Sequence, residues 1–143
     1  MKIALVTDTH FGARNDHDHF NNYFYEFYDN IFFPYLKEHN IDTCIHLGDV
    51  MDRRKFVSYK TAKDFREKFC ETFVTNDINV HMIVGNHDTY FKNTNEVNSL
   101  DELIGSRYEN IKIYRETETV DFDIPICFIP VSYTHLTLPT ICS

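Results

Sequence analysis

Three short apolar runs in this chain each stop at a cluster of polar, metal-binding side chains, and that repetition constrains the fold more than any other feature. Residues 2–7 (KIALVT) lead into Asp8-Thr9-His10. Residues 42–47 (DTCIHL) lead into Gly48-Asp49-Val50-Met51-Asp52-Arg53, and residues 79–84 (NVHMIV) into Gly85-Asn86-His87-Asp88. Short apolar runs of this kind are predicted to be buried strands. The segments between them carry a helical period. Over residues 18–39, Phe20, Tyr23, Phe24, Phe27, Ile31 and Tyr35 recur at spacings of three and four. That predicts a helix with these residues on its core face, kinked or split at Pro34. Ser58 is placed to cap a second helix running to about Asn76, with Ala62, Phe65, Phe69 and Phe73 on its buried side. A helix near 96–104 and β runs at 111–114, 118–123 and 126–129 complete the pattern. Strand, helix, strand, helix, strand predicts an α/β fold with a mainly parallel, helix-flanked sheet. With 143 residues, 43% of them hydrophobic, the chain can build the core of one domain. No repeat, linker or second domain is visible.

The chemistry is expected at the three strand ends. Side chains two apart on an extended segment point the same way, so Asp8 and His10 can grip one ion. Gly48 and Gly85 permit tight exits from their strands. Ligands of an open parallel sheet bind beyond the carboxyl ends of its strands, which would gather Asp8, His10, Asp49, Asn86 and His87 in one pocket. Mixed carboxylate, amide and imidazole donors suit Mn, Fe or Zn better than Ca, and the lack of thiolates argues against a structural zinc site. The net charge of −8 is opposite to the basic footprint of a simple nucleic-acid binder. Bound cations would reverse that sign locally. The four cysteines (Cys44, Cys70, Cys127 and Cys142) form no CxxC pair, as expected for reduced thiols in an intracellular protein. The N-terminus turns polar too early for a secretory signal, and no apolar run approaches the roughly 20 residues of a membrane helix. A cytoplasmic protein is expected, in the host cytoplasm if the gene is a phage's.

The ordered set DxH, GDxxDR and GNHD, each after a predicted strand, resembles the calcineurin-like metallophosphoesterases. The resemblance covers residues 1–130, the N-terminal part of such a domain and of its helix-flanked sheet sandwich. It implies two divalent metal ions: Asp8 and His10 on the first, Asp49 bridging both, Asn86 on the second. It makes His87 a catalytic residue that contacts the scissile phosphate and protonates the leaving oxygen. Asp88 would orient His87, and Asp52 with Arg53 would brace the second loop. Two further stretches, GDVMDRRKFVSYKT and VHMIVGNHDTYFKNTNEVNS, followed by NIKIY and TVDFD, are similar to the nuclease subunit of SbcCD/Mre-Rad repair complexes, in the form carried by T-even phages. This implies Mn-dependent exonuclease and endonuclease activity on DNA ends, in recombination and repair. It also implies an SMC-like ATPase partner and a homodimer whose contact uses helices of the 18–39 region. Arg54 and Lys55 read either as DNA phosphate contacts or as a solvated basic turn. The three motifs alone leave open a protein phosphatase, a nucleotide diesterase or a non-catalytic scaffold.

Other features have plainer readings. Asp16-His17-Asp18-His19 are consecutive and are not expected to converge on a metal. His46 and His81 are expected to be satisfied residues within strands, and Cys44 and Cys127 small core residues. Residues 131–143 (VSYTHLTLPTICS) contain no charged side chain, although 25% of the chain is charged, and the string resembles a translated sequencing-library adapter. That stretch is therefore set aside as a non-native tail, together with His135. The family's later GH and GHxH histidines have no counterpart in residues 88–130. As written, the chain is expected to bind metal weakly and not to turn over.

Overall fold

The computed structural model describes residues 1–131. Residues 132–143, with His135 and Cys142, lie outside the described residues. Strands β1 (Ala4–Val6), β2 (Thr43–His46), β3 (Asn79–Ile83) and β4 (Ile111–Tyr114) form one parallel sheet in the order β1-β2-β3-β4. The α/β class and the parallel, helix-flanked sheet are those expected from the sequence. Because the strands advance in chain order, right-handed crossovers put the long connecting helices on one face. Phe11, Tyr28, Phe65, Phe69, Phe73, Val80, Met82 and Leu100 share one core there. A hairpin of β5 (Glu118–Asp121) and β6 (Pro125–Phe128) covers part of the other face, where Val120, Phe122 and Phe128 pack on Ile45, Ile83 and Tyr114.

The first long helix corrects one expectation. It runs over 18–38, as Asp18–Phe27, a wider π turn Tyr28–Phe32 and Phe33–Glu38. Its buried residues are Asn21, Tyr25, Tyr28, Phe33 and Leu36, whereas Tyr23, Phe27, Ile31 and Tyr35 are 71%, 41%, 58% and 53% exposed. The stripe read as core therefore largely faces outward. The Phe33 amide donates to the Tyr28 carbonyl five residues back. That extra residue carries the buried face from Tyr28 to Phe33, a step no fixed 3.6 period contains. Pro34 sits in the first turn after the π segment, where its missing N–H costs least.

The second long helix matches the sequence reading. Ser58 Oγ accepts the Thr61 amide at 3.1 Å, and Phe65, Phe69 and Phe73 are fully buried. The short helix Ser99–Leu103 begins later than expected because Asn98, not Glu96, caps it, accepting the Asp101 amide at 2.9 Å. Cys44 is buried, but Cys127 is exposed. It lies on the outer side of β6, between Ile126 and Phe128, which face the sheet. His81 is satisfied, its Nδ1 lying 2.6 Å from the Tyr114 hydroxyl. Among the described residues no helix is long and apolar enough to cross a membrane.

Candidate metal centre

Backbone pairing continues past the ends of β1 and β2. The Leu47 amide donates to Val6 O (2.8 Å), Asp8 to Gly48 O (3.1 Å), His10 to Asp49 O (3.2 Å) and Phe11 to Val50 O (2.8 Å). These bonds carry the DxH and GD loops out of the sheet side by side. On the other flank β2 and β3 pair His46 with Met82. Continuing that register for three residues puts Gly85 beside Asp49. The approach is backbone to backbone: a Cβ at Gly85 would lie 2.1 Å from Asp49 N, and one at Gly48 would lie 2.8 Å from Gly85 Cα. Both glycines are required by contact, and Gly48 also by its φ of 98°.

Asp8, His10 and Asp49 all have left-handed backbones, with φ of 54°, 44° and 55°. Non-glycine residues pay for this conformation, on the order of 1–3 kcal/mol at each site. These conformations shape the first two strand exits, which carry Asp8, His10 and Asp49 to one point. One donor atom each from Asp8, His10 and Asp49 lies within 4.8 Å of the others. His10 Nε2 is 3.4 Å from Asp8 Oδ1, and His10 Nδ1 is 3.8 Å from Asp52 Oδ1. The Thr7 hydroxyl and the neighbouring His10 hold the Asp8 carboxyl below its ordinary range.

The third loop closes over this cluster. The His87 amide donates to Asp49 Oδ1 at 2.8 Å, and the Asn86 side-chain nitrogen lies 3.4 Å from Asp49 Oδ2. The His87 ring packs edge-on against His10 with 4.9 Å between centres. His87 Nδ1 lies 2.6 Å from the Asp52 carbonyl, which can only accept, so Nδ1 carries the proton. Asp52 therefore orients His87 through its backbone. The carboxylate of Asp88, assigned that task from the sequence, is engaged elsewhere. It is fully buried and accepts the Met51 and Gly85 amides, both at 2.9 Å, so it ties the second loop to the third. Arg53 bonds Asn15 Oδ1, bracing the second loop against the first, while Arg54 Nη2 lies 3.3 Å from Asn86 Oδ1. Lys55 is exposed above Tyr90. Of the Asp16–His19 run, Asp16 bonds Thr61 and Asp18 pairs with Lys60 at 3.0 Å. These partners point it away from a shared ion.

Residues 1–136 match the family model described as calcineurin-like phosphoesterase. The chain belongs to that family. It is also 35% identical over 123 residues, 86% of its length, to exonuclease subunit 1 of Enterobacteria phage T4. The match covers 35% of that protein, so the chain spans about a third of the length of this curated relative. The family model ends six residues beyond the boundary at 130 read from the sequence.

A phosphoesterase of this family binds divalent metal, and the residues present fit one. Two carboxylates and an imidazole converge, the Asn86 side chain lies beside them, and His10 Nδ1 is buried without a hydrogen-bond partner. The sequence reading missed one residue that holds the loops of this candidate site together. His46, expected only to be satisfied within its strand, also bonds both metal loops. Its Nδ1 accepts the Gly48 amide at 3.2 Å, leaving Nε2–H to donate to Thr9 Oγ1 at 3.0 Å. Thr9 in turn donates to Val50 O at 3.3 Å. An imidazole three residues before Asp49, inside an apolar strand, was the available signal.

Proposed function

We propose that this chain is the N-terminal part of a metal-dependent DNA nuclease subunit acting in recombination and repair. The convergence of Asp8, His10, Asp49 and Asn86 beside His87 is the observation that carries the reading. The similarity to a phage exonuclease subunit supports DNA as its substrate. Asp8 and His10 would hold one divalent ion, Asn86 a second, and Asp49 both; Mn is preferred, with Fe or Zn as alternatives. Such ions supply Lewis-acid activation of a phosphodiester and of the attacking water. His87 is held with Nδ1–H on the Asp52 carbonyl, so Nε2 is the nitrogen that meets substrate. Protonated there, it gives its proton to the leaving oxygen. Asp88 is catalytic only in a positioning sense, through the two amides it binds. Arg54 and Lys55 would meet DNA phosphates at the rim, a reading supported by the Arg54 contact to Asn86 and by the exposure of Lys55.

The partners follow the same reading: DNA, an SMC-like ATPase subunit and a second copy of the chain, in the cytoplasm. Tyr23, Phe27, Ile31 and Tyr35, four residues apart on one exposed helix face, support the homodimer. The donor set within residues 1–130 is the N-terminal share of the site, and residues 131–143 are a non-native tail. The test is to sequence the source DNA past codon 130 and express the continued frame. Mn-dependent release of nucleotides from DNA ends, lost in Asp49→Ala, is the expected result. Hydrolysis of p-nitrophenyl esters with intact DNA would replace this reading with a phosphatase or nucleotide diesterase. A source frame that itself ends in VSYTHLTLPTICS would replace it with a non-catalytic scaffold.

A further inference from the structure

Next to the candidate metal centre the surface turns aromatic and cationic. Phe56, Tyr90 and Phe91 are 58%, 40% and 50% exposed. The Arg53 guanidinium carbon lies 5.8 Å from the centre of the Phe56 ring, and Lys55 Nζ lies 5.1 Å from that of Tyr90. Tyr90 and Phe91 meet edge to face at 4.8 Å. The two loops that carry these rings are tied together at the site itself, by the bond of His87 to the Asp52 carbonyl and by Arg54 on Asn86. The patch therefore keeps its position relative to Asp49.

A core explanation fails for these rings, because each stays at least 40% exposed, Phe56 and Tyr90 with a cation over the ring and Phe91 against Tyr90. Exposed aromatic faces attract flat π systems, and the neighbouring cations attract phosphate. Only one polymer offers both at once in repeating order. An intact duplex presents its phosphates but hides its base faces within the stack; an unpaired strand presents both.

We propose that Phe56, Tyr90 and Phe91, with Arg53 and Lys55, form a stacking platform for unpaired bases, so that the site takes single-stranded ends or flaps in preference to intact duplex. The inference rests on the DNA reading above and deepens it. Stacking supplies affinity without base readout, so the preference is for strand state and not for sequence. Cations beside the rings hold the backbone while the bases lie on the aromatic faces.

The experiment uses the 143-residue chain in EDTA, so that nothing is cut, with a labelled oligonucleotide in single-stranded and in blunt duplex form. Anisotropy should show tighter binding of the single strand. 5-Iododeoxyuridine in that strand should photocrosslink to peptides containing Phe56, Tyr90 or Phe91. Phe56→Ala with Tyr90→Leu should weaken single-strand binding by roughly 5- to 150-fold per lost ring and leave duplex binding and Tm unchanged. Tyr90→Phe, which keeps the ring, should bind like the native chain. Equal binding of both forms, or a double variant that still binds the single strand fully, overturns the platform and leaves the nuclease reading standing. Failure to bind either form of DNA at low salt likewise overturns the platform, whereas the nuclease reading stands or falls on the Mn-dependent assay of the continued frame.

Discussion

His46 Nε2 lies 3.0 Å from the Thr9 hydroxyl while its Nδ1 accepts the Gly48 amide, so one buried ring clamps the first two metal loops together. Burial pushes the His46 pKa down to about 3, against the pull of Asp8. The unfolded chain takes up this proton below about pH 6.5, whereas the folded chain resists it. The stability contribution of neutral His46 is therefore complete above pH 6.5 and is lost as pH falls toward 3. Urea unfolding between pH 7 and 4 should show this loss, with a slope of one proton, and His46→Gln should flatten the slope. An unchanged slope in the variant would assign the acid sensitivity to other groups.

Gly85→Ala should separate the second and third loops. The added methyl would meet backbone atoms that cannot yield, Asp49 N at 2.1 Å and Gly48 C at 2.9 Å, as well as the Asp49 carboxylate. We expect loss of Mn affinity by titration and a destabilisation of about 1–3 kcal/mol or more, typical of overpacking. Native Mn affinity in Gly85→Ala would show that the loops tolerate a wider spacing.

Asp88→Asn isolates the tie between the same loops. Each carboxylate oxygen accepts one amide, from Met51 and from Gly85, and the site is fully buried. An amide side chain has one acceptor atom, so its NH2 group would face a donor. The expected cost is about 1–3 kcal/mol, the range for a buried group left unsatisfied, read as a lower denaturant midpoint. Asp88→Glu should not rescue it, since the longer side chain cannot keep both bonds in the same space.

The strands and ligand clusters were legible because local pattern and position coincide. Each apolar run ends at its candidate ligands, and parallel register then brings the loops of Asp8, Asp49 and Asn86 side by side. The outward face of the first helix was not legible. Tyr23-Phe27-Ile31-Tyr35 and Tyr25-Tyr28-Phe33-Leu36 are both apolar, so tertiary packing selects between them, and the π turn then carries the buried face on from Tyr28 to Phe33. The task of Asp88 was also hidden. The family resemblance implied that Asp88 orients His87, yet the third loop turns Asp88 into the core. Left-handed φ at Asp8, His10 and Asp49 could not be read from residue type either, since only Gly announces it reliably.

Phe69→Ala should be the most damaging single truncation of the core. The ring is fully buried and packs against Phe11, Tyr28, Phe33, His46, Phe65 and Phe73. It therefore joins both long helices to the strand that carries His46 and the GD loop. A loss of about 3–5 kcal/mol is expected in chemical unfolding, large enough to leave much of a marginal domain unfolded. Phe69→Leu should recover most of that loss, because it refills the greater part of the cavity.

Phe27→Glu with Ile31→Glu tests the outward face of the first helix. Both residues are exposed, at 41% and 58%, so the charges enter no core and Tm should hold. Four-residue steps through Tyr23, Phe27, Ile31 and Tyr35 make a continuous strip, and a second copy related by a two-fold axis would meet the same strip. Sedimentation of the native chain should then show a concentration-dependent dimer, and the double variant should be a monomer at every concentration. A native chain that stays monomeric at high micromolar concentration would remove this face as a self-contact. If the native chain dimerises and the variant still does so, the contact lies on another surface.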